Sequence, residues 1–413
     1  MMMRLIHDKN INPDDEQLFS QRRESFDYFS TVVFILNVSI GTGVMKLGAA
    51  FKAGAVLSVL LSTFIAILST YTFYLFLKSA AKTKSSTFEG IWAKTFGHKT
   101  VVVCAVISMT SKLMALKAYI SFVCDQLVYL IKLVLPNHPS FLVDRFFLFA
   151  AVMVVFYIPV LSSKSLKVIF YCCLIKVTCL AFLCIVIVYY FITFTIQDGF
   201  DPRNEIAYFR FDNRFISALD SLLTAYLVMP ICYPGLKHFR NLTVNTFLNQ
   251  YKVSMFITWI VYNIVGLICY FTFFDQNTGG LILSYYPENT LTIIAQVALT
   301  LMMIFTCPVA LNPVRYVLVD LVSRGSEFPS DVWCQAGIII MVLAILLSSL
   351  KGDVNFWVST ITNIRSPLVL FILPSILYLK AWGTHNKLHF VLALLVFVIG
   401  LVSVAFVLYL PFA

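Results

Sequence analysis

Charged residues are scarce in this 413-residue chain, at 12% of it, whereas hydrophobic residues make up 60%. Soluble domains carry about a quarter charged residues, so this much apolar surface could not be buried in one water-soluble core. The 30 Lys and Arg outnumber the 20 Asp and Glu, but they stand between long apolar runs and form no single patch. The composition therefore predicts a multi-pass membrane protein and excludes a nucleic-acid-binding one.

The chain also lacks the residue patterns of metal centres and of most enzymes. Its ten cysteines lie in or beside apolar runs and include no C-x-x-C pair, so they are expected to pack as small apolar side chains. All six histidines fall in predicted loops or helix ends, which excludes an intramembrane histidine proton switch. With few carboxylates in the apolar runs and no nucleophile–base spacing, we expect neither an enzyme nor a bound cofactor.

Apolar runs of about 20 residues, the length that crosses a bilayer, predict eleven transmembrane helices. They cover residues 27–51, 55–78, 100–132, 146–161, 165–196, 215–236, 250–274, 289–322, 331–350, 354–380 and 386–411. Residues 1–26 are polar and form a tail before the first span. The expected fold class is therefore an all-α polytopic membrane protein.

Lys and Arg fall mainly on one side of these spans. Eighteen lie in segments that share a side with the N-terminus, seven lie on the other side, and five lie within spans. Because basic residues concentrate in cytoplasmic loops, the N-terminus is predicted to be cytoplasmic and the C-terminus to lie on the opposite side. The host membrane stays open between the plasma membrane and an acidic organelle such as a vacuole or lysosome.

The spans divide into two halves of similar length, residues 27–196 and 215–380, followed by an extra helix at 386–411. Each half holds five spans, which is an odd number, so the second half crosses the membrane in the opposite sense to the first. Such inverted halves are the layout of many secondary transporters.

Helix-breaking residues stand at matching positions in the first span of each half. They are Gly41, Gly43 and Gly48 in the first span, and Pro230, Pro234 and Gly235 in the sixth. Interrupted helices at corresponding positions point to a substrate site, since unwound backbone is tolerated at that depth only where protein or a wet cavity satisfies it. The plainer alternative is that the glycines form a helix-packing surface.

Four short motifs follow one another along the chain. They are NVSIGTGVM from residue 37, YNIVGLICYF from 262, TCPVALNPVR from 306 and FILPSILYLK from 371. With them the sequence resembles the amino acid/auxin permease family of the amino acid–polyamine–organocation superfamily, and within it the sodium-coupled neutral amino acid transporters. The resemblance implies a ten-helix inverted-repeat core plus one helix. It also implies secondary active amino acid transport by alternating access, driven by a sodium or proton gradient.

The resemblance assigns a substrate-binding role to residues of both broken spans. Backbone at Gly41, Thr42 and Gly43 is implied to hold the carboxylate and amine of the amino acid. Thr224 and Tyr226 are implied to face it from the sixth span.

The coupling ion is left open by the sequence. Asn37 and Thr306 stand where sodium-coupled members place ion ligands, and oxygen ligands suit a hard cation such as Na⁺. Without the resemblance, both would be expected only to join helices by hydrogen bonds. Lys176 lies midway along the fifth span, where a charge costs about 2.5–3.5 kcal/mol. It could release and rebind H⁺ in place of Na⁺, as a fifth-span lysine of proton-coupled relatives does, or it could serve as an inter-helix contact.

Two further cations depart from the family pattern. Lys46 and Arg365 stand where the family has small residues. They could recognise an acidic side chain, bind a second substrate carboxylate, or mark a changed coupling site; Arg365 is better suited to a bidentate carboxylate contact.

The main alternative to a transporter is a receptor-like amino acid sensor, or transceptor, with the same fold and little flux. A sensor would be expected to carry a long cytoplasmic tail for a partner, and the tail before the first span is only 26 residues, which favours the transporter. The expected partners are an amino acid substrate and the lipid bilayer, with no obligate protein partner evident.

Overall fold

The computed structural model describes residues 27–40, 47–48, 50–85, 88–135, 137, 139–163, 166–197, 206–229, 243–273, 283, 286–287, 289–322, 330–349, 360 and 363–409. Eight helices in this part of the chain are long and apolar enough to cross a membrane, and Tyr28–Ser39 and Val332–Ser348 are shorter apolar helices. The expected all-α polytopic fold is confirmed.

The helices of the described residues are numbered in chain order. They are α1 Tyr28–Ser39, α2 Ala55–Thr83, α3 Phe88–Phe96, α4 Val101–Val134, α5 Arg145–Ser162, α6 Leu166–Gln197, α7 Asn213–Ala225, α8 Val244–Phe273, α9 Thr290–Val322, α10 Ser330–Ser348, α11 Asn363–Trp382 and α12 Lys387–Tyr409. Each of the eleven predicted spans overlaps one of these helices. Only α3 lies outside them.

The helix α3 was not expected because it is too short to cross a membrane. Its nine residues include Lys94 and Glu89, which lower its apolar content below that of a span. It folds as a surface helix because one side is apolar: Ile91 is fully buried and the Phe88 ring lies 4.2 Å from the Phe76 ring of α2. The helix therefore closes the connection between α2 and α4.

The two helices that open the halves, α1 and α7, are both short. Each begins at an aspartate cap: Asp27 accepts a hydrogen bond from the Ser30 N–H, and Asp212 from the Arg214 N–H. They have 12 and 13 residues respectively, so neither crosses a bilayer unaided. The helix α1 ends two residues before Gly41.

The helix α7 ends before the prolines of its span are reached. It could have continued for four more residues before Pro230. Its last residue is Ala225, and Leu227 and Val228 are not helical. The Val228 N–H bonds to the Tyr226 carbonyl at 2.9 Å, which closes a tight turn in place of a helical hydrogen bond. The first span of each half is therefore interrupted. Pro230, Pro234 and Gly235 lie outside the described residues.

Two spans widen into a π-helical turn just before a proline. The turn Met153–Tyr157 precedes Pro159 in α5, and Leu368–Ile372 precedes Pro374 in α11. A proline has no N–H to donate and its ring collides with the preceding turn, and a wider turn relieves both problems. The helices can then continue across the membrane.

Burial separates the inner helices from the outer ones. Most of the apolar stretch of α9 is buried, and α9 packs along α4 and α6. The helix α12 is mostly exposed, with Leu388, Val391 and Leu395 facing outward. Because water would disfavour such a surface, the exposed apolar faces are those that meet lipid.

One glycine fixes a close contact at the start of α2. Gly54 has a φ of +113°, which favours glycine, and a Cβ there would collide with the Tyr208 backbone. Around it, the Ala55 and Leu57 N–H groups bond to the Ala207 and Tyr208 carbonyls at 2.9 and 3.1 Å. The segment before α7 is thereby held against the end of the first span.

Candidate functional site

The ends of the two broken helices meet at one tyrosine of α8. The Tyr262 hydroxyl donates to the carbonyl of Ser39, the last residue of α1, at 2.7 Å, and to the carbonyl of Ala225, the last residue of α7, at 3.3 Å. Tyr262 is fully buried. Because the last four carbonyls of a helix have no partner within it, a shared donor at this point holds both ends together.

Tyr226, which the sequence assigns to the substrate site, lies beside this junction. Its ring packs edge-on against the Tyr262 ring at 5.3 Å, and its hydroxyl is 2.8 Å from the Ser62 hydroxyl of α2. The Ser69 hydroxyl donates to the Tyr226 carbonyl at 3.4 Å. The Asn263 amide reaches Ser62 at 3.1 Å. The unwound segment of the sixth span is thus fixed by polar groups of α2 and α8.

Lys176 lies against the last turn of α1. Its ammonium donates to the Asn37 backbone carbonyl, and the side chain is almost completely buried. The titratable groups that face it among the described residues are the thiols of Cys173, on the same helix, and Cys307 on α9. The helix α1 therefore presents two carbonyls at its end: one bound by an ammonium and one by the Tyr262 hydroxyl.

Asn37 and Thr306 are both buried, but their side chains are used differently. The Asn37 amide nitrogen donates to the Cys173 carbonyl at 3.5 Å, while its amide oxygen has no hydrogen-bond partner in the part of the chain that the structure describes. The Thr306 hydroxyl donates to the Met302 carbonyl one turn back in α9, at 2.7 Å. Since α1 and α9 pack on each other and both pack on α6, the same region holds both residues and Lys176.

Arg365 lies at a second place, between α11 and α4. Its guanidinium donates to the Ser111 carbonyl, and Asp220 of α7 is near enough to interact with its charge. Its Nε has no hydrogen-bond partner among the residues that the structure describes. The next residue, Ser366, has its hydroxyl 3.2 Å from the Thr224 hydroxyl. Arg365 thus lies beside a polar contact between α7 and α11 that includes Thr224, and Asp220 is closer to Arg365 than its place in the sequence suggests.

The arrangement favours cationic groups at the junction. A helix carries a partial negative charge at its C-terminus, and two C-termini converge on Tyr262. In secondary transporters, broken helices use such ends to hold cations. The junction can therefore hold an amine or a metal cation, and Lys176 supplies one positive charge within it.

Part of the expected site falls outside the described residues, namely Gly41, Thr42, Gly43 and Lys46. The sequence alone did not single out Tyr262 as a site residue, although this tyrosine begins one of the four motifs. The signal that could have found it is a hydroxyl group near the middle of a span, where a polar atom requires a partner.

The sequence is similar to those of known proteins. The sequence model of the family described as transmembrane amino acid transporter protein matches residues 25–412. The sodium-coupled neutral amino acid symporter 2 of Danio rerio is 24% identical over 384 residues, which cover 85% of this chain and 75% of that protein.

Two solved transporters share the fold. MhsT in complex with L-phenylalanine superposes with a TM-score of 0.58 and 13% identity, over 93% of this chain and all of that one. Mhp1, a nucleobase-cation-symport-1 family transporter in a closed conformation with bromovinylhydantoin bound, gives 0.60 and 13% identity, over 97% of this chain and 94% of that one.

Proposed function

The chain belongs to the transmembrane amino acid transporter family, and we propose from this membership that it is a secondary active transporter that moves amino acids across a membrane by alternating access. The proposal is supported by the two interrupted helices that end at one buried hydroxyl. Such a pair gives a binding site at mid-membrane whose two sides can move against each other.

In this proposal the transporter domain runs from residue 27 to 411, after a cytoplasmic tail of 26 residues. The helices α1, α2, α4, α5 and α6 form the first repeat, within residues 27–196, and α7 to α11 form the second, within 215–380. The extra helix α12 lies within 386–411. The amino acid binds where α1 and α7 are interrupted, with its carboxylate and amine on the backbone at Gly41, Thr42 and Gly43 and its side chain toward Thr224 and Tyr226.

The coupling ion in this proposal is H⁺, carried by Lys176. The observation that supports it is the hydrogen bond from the Lys176 ammonium to the Asn37 carbonyl. The ammonium of the protein itself would there take the place of a bound sodium ion. Burial disfavours a charged amine, and among the described residues the lysine has one hydrogen-bond acceptor, the Asn37 carbonyl, to offset that cost. Loss of the proton would weaken this hydrogen bond, because a neutral amine is a poorer donor than an ammonium. Rebinding of the proton would strengthen the bond again, which couples the proton to the conformation.

Sodium is the second candidate, and two observations favour it. The Danio rerio relative is a sodium-coupled symporter. The buried Asn37 amide oxygen has no hydrogen-bond partner within the described residues, and it is a ligand of the type that Na⁺ accepts. The Thr306 hydroxyl oxygen, which donates its only hydrogen to Met302, keeps its lone pairs for the same ion.

The test is uptake of radiolabelled amino acids into proteoliposomes with imposed sodium and proton gradients applied separately. Proton-driven accumulation that is lost in Lys176→Ala, while Asn37→Ala and Thr306→Ala retain it, is the expected result. Lys112→Ala is the matched control, because Lys112 is also a buried lysine of a span but bonds to Ser108 at 2.8 Å.

Sodium-driven accumulation that Asn37→Ala and Thr306→Ala weaken would replace the proton with sodium and leave Lys176 as a structural contact. Substrate binding without accumulation in either gradient would contradict transport itself. Equal losses in Lys176→Ala and Lys112→Ala would mean that any buried lysine matters only for folding.

A further inference from the structure

A groove lies on the outer surface of the bundle, between α2, α8 and α12, and no described residue of the interrupted helices α1 and α7 lines it. Its volume is about 600 Å³. The walls are mainly apolar, with Ile67, Met255, Phe256 and Trp259 among them, and they include the charged side chain of Lys252. The groove opens to the side of the protein that meets lipid, since Ile67 and Phe256 are 63% and 61% exposed.

The two ends of the groove differ in polarity. At one end the Trp259 indole N–H donates to the Thr63 hydroxyl at 3.0 Å, so that polar group is already satisfied. At the other end lie Lys252 and a contact of 3.2 Å between the Tyr71 hydroxyl and His389 Nδ1. Lys252 and Trp259 are seven residues apart on α8, which is about 10 Å along the helix. An occupant therefore needs a polar head and an apolar chain.

The charge of the polar end is positive. Lys252 is exposed, and its ammonium has no hydrogen-bond or ion-pair partner among the described residues. Among the described residues that line the wall there is no carboxylate. An anionic head group would therefore find one cation in the wall, Lys252, and no carboxylate beside it.

The depth of the groove fits a lipid of one leaflet. The helix α8 has 30 residues and is about 45 Å long, which exceeds the hydrocarbon thickness of about 30 Å. Lys252 lies about 12 Å from its start, near the boundary of the hydrocarbon, where a lysine extends its ammonium into the head-group region. Trp259 lies deeper. Head and chain would thus take the depths they have in a bilayer.

We propose that this groove binds an anionic phospholipid, with its phosphate at Lys252 and one acyl chain along Ile67, Phe256 and Trp259. With the N-terminus on the cytoplasmic side, the groove faces the leaflet that carries anionic lipids. The occupied walls belong to α2 and α8, the helices that also contact Tyr226 and the ends of α1 and α7. The lipid would therefore bind to the helices that frame the candidate site without entering it.

The test is native mass spectrometry of the purified full chain, incubated with vesicles of phosphatidylcholine alone or with phosphatidylserine. Phosphatidylserine is expected to remain bound in preference, and Lys252→Gln should weaken its binding about fivefold, the effect of one lysine near a membrane surface. Lys387→Gln is the control, because it removes the same charge from the start of α12, outside the groove. Ile67→Trp should also reduce binding, because it fills the apolar part and leaves the charge intact.

Four results would overturn the proposal. The first is equal retention of phosphatidylcholine and phosphatidylserine by the unmodified chain. The second is an equal effect of Lys252→Gln and Lys387→Gln, which would show a general charge effect. The third is displacement of phosphatidylserine by cholesterol but not by other anionic phospholipids, which would assign the groove to a sterol. The fourth is competition by soluble glycerophosphoserine, which has no acyl chain, that is as strong as competition by the intact lipid. It would show that the acyl chain does not contribute to binding.

Discussion

Replacement of Tyr262 by phenylalanine isolates the hydroxyl that joins the two broken helices. The change leaves the ring in its edge-on contact with Tyr226 and removes only the donor to Ser39 and Ala225. Both carbonyls belong to buried residues. A buried polar group that loses its partner costs about 1–3 kcal/mol. The state in which both helix ends are joined at residue 262, here called the closed junction, should therefore become less populated by a factor of about 5–150.

Uptake should fall by the same factor if transport passes through the closed junction. The measurement is the initial rate of amino acid uptake into proteoliposomes, divided by the amount of correctly inserted protein. Tyr270→Phe is the matched control: it makes the same chemical change on the same helix, but the Tyr270 hydroxyl contacts the Ala207 backbone at 3.0 and 3.3 Å, away from the broken ends.

Full uptake by inserted Tyr262→Phe would refute the role of the hydroxyl. A similar loss in Tyr262→Phe and Tyr270→Phe would also contradict it, because any buried tyrosine of α8 would then matter equally. A drop in kcat at unchanged KM is expected, since the hydroxyl bonds to the helix ends and not to the substrate.

Three other substitutions test the packing and the second polar contact. Gly337→Ala would place its Cβ against the Arg315 guanidinium, and Gly266→Ala would place it against the buried Phe51 ring; each should lower the melting temperature in detergent by overpacking worth about 1–3 kcal/mol, and an unchanged value would show that the neighbour can move. Arg365→Gln should change the ranking of amino acids in competition assays, and an unchanged ranking at normal rate would make Arg365 a structural contact.

The positions of the spans could be predicted because the bilayer imposes them. Unpaired backbone is intolerable in hydrocarbon, so every crossing requires about 20 apolar residues, and those runs are visible in the sequence. The interruption of the first span was also predictable, since α1 ends at Ser39, just before its glycines. The sixth span is less simple: α7 ends at Ala225, ahead of its prolines, because Tyr226 is held by side chains of other helices.

Contacts between distant helices could not be predicted in the same way. The role of Tyr262 depends on two carbonyls that lie 223 and 37 residues away along the chain. Lys176 could be singled out as a buried charge, but its acceptor, the Asn37 backbone, is a group that every residue possesses. A backbone acceptor leaves no mark in the sequence, so its partner is found only by folding.

The Lys176 contact also bears on whether sodium and protons can act together. A sodium ion at the Asn37 amide oxygen would lie close to the protonated lysine that holds the carbonyl of the same residue. Two unit charges about 4 Å apart repel by about 4 kcal/mol at an effective dielectric constant of about 20, which weakens binding about a thousandfold. We therefore expect the two cations to exclude each other.

Mutual exclusion gives a pH test that is independent of which gradient drives uptake. Raising the pH should favour the neutral lysine and so lower the sodium concentration needed for half-maximal binding, measured on purified protein by thermal shift. In Lys176→Met the sodium requirement should no longer vary with pH, whereas Lys112→Met should keep the variation. Sodium binding that is independent of pH in the unmodified chain would place the ion away from Lys176, and the Asn37 amide oxygen would then lose its assignment as a sodium ligand.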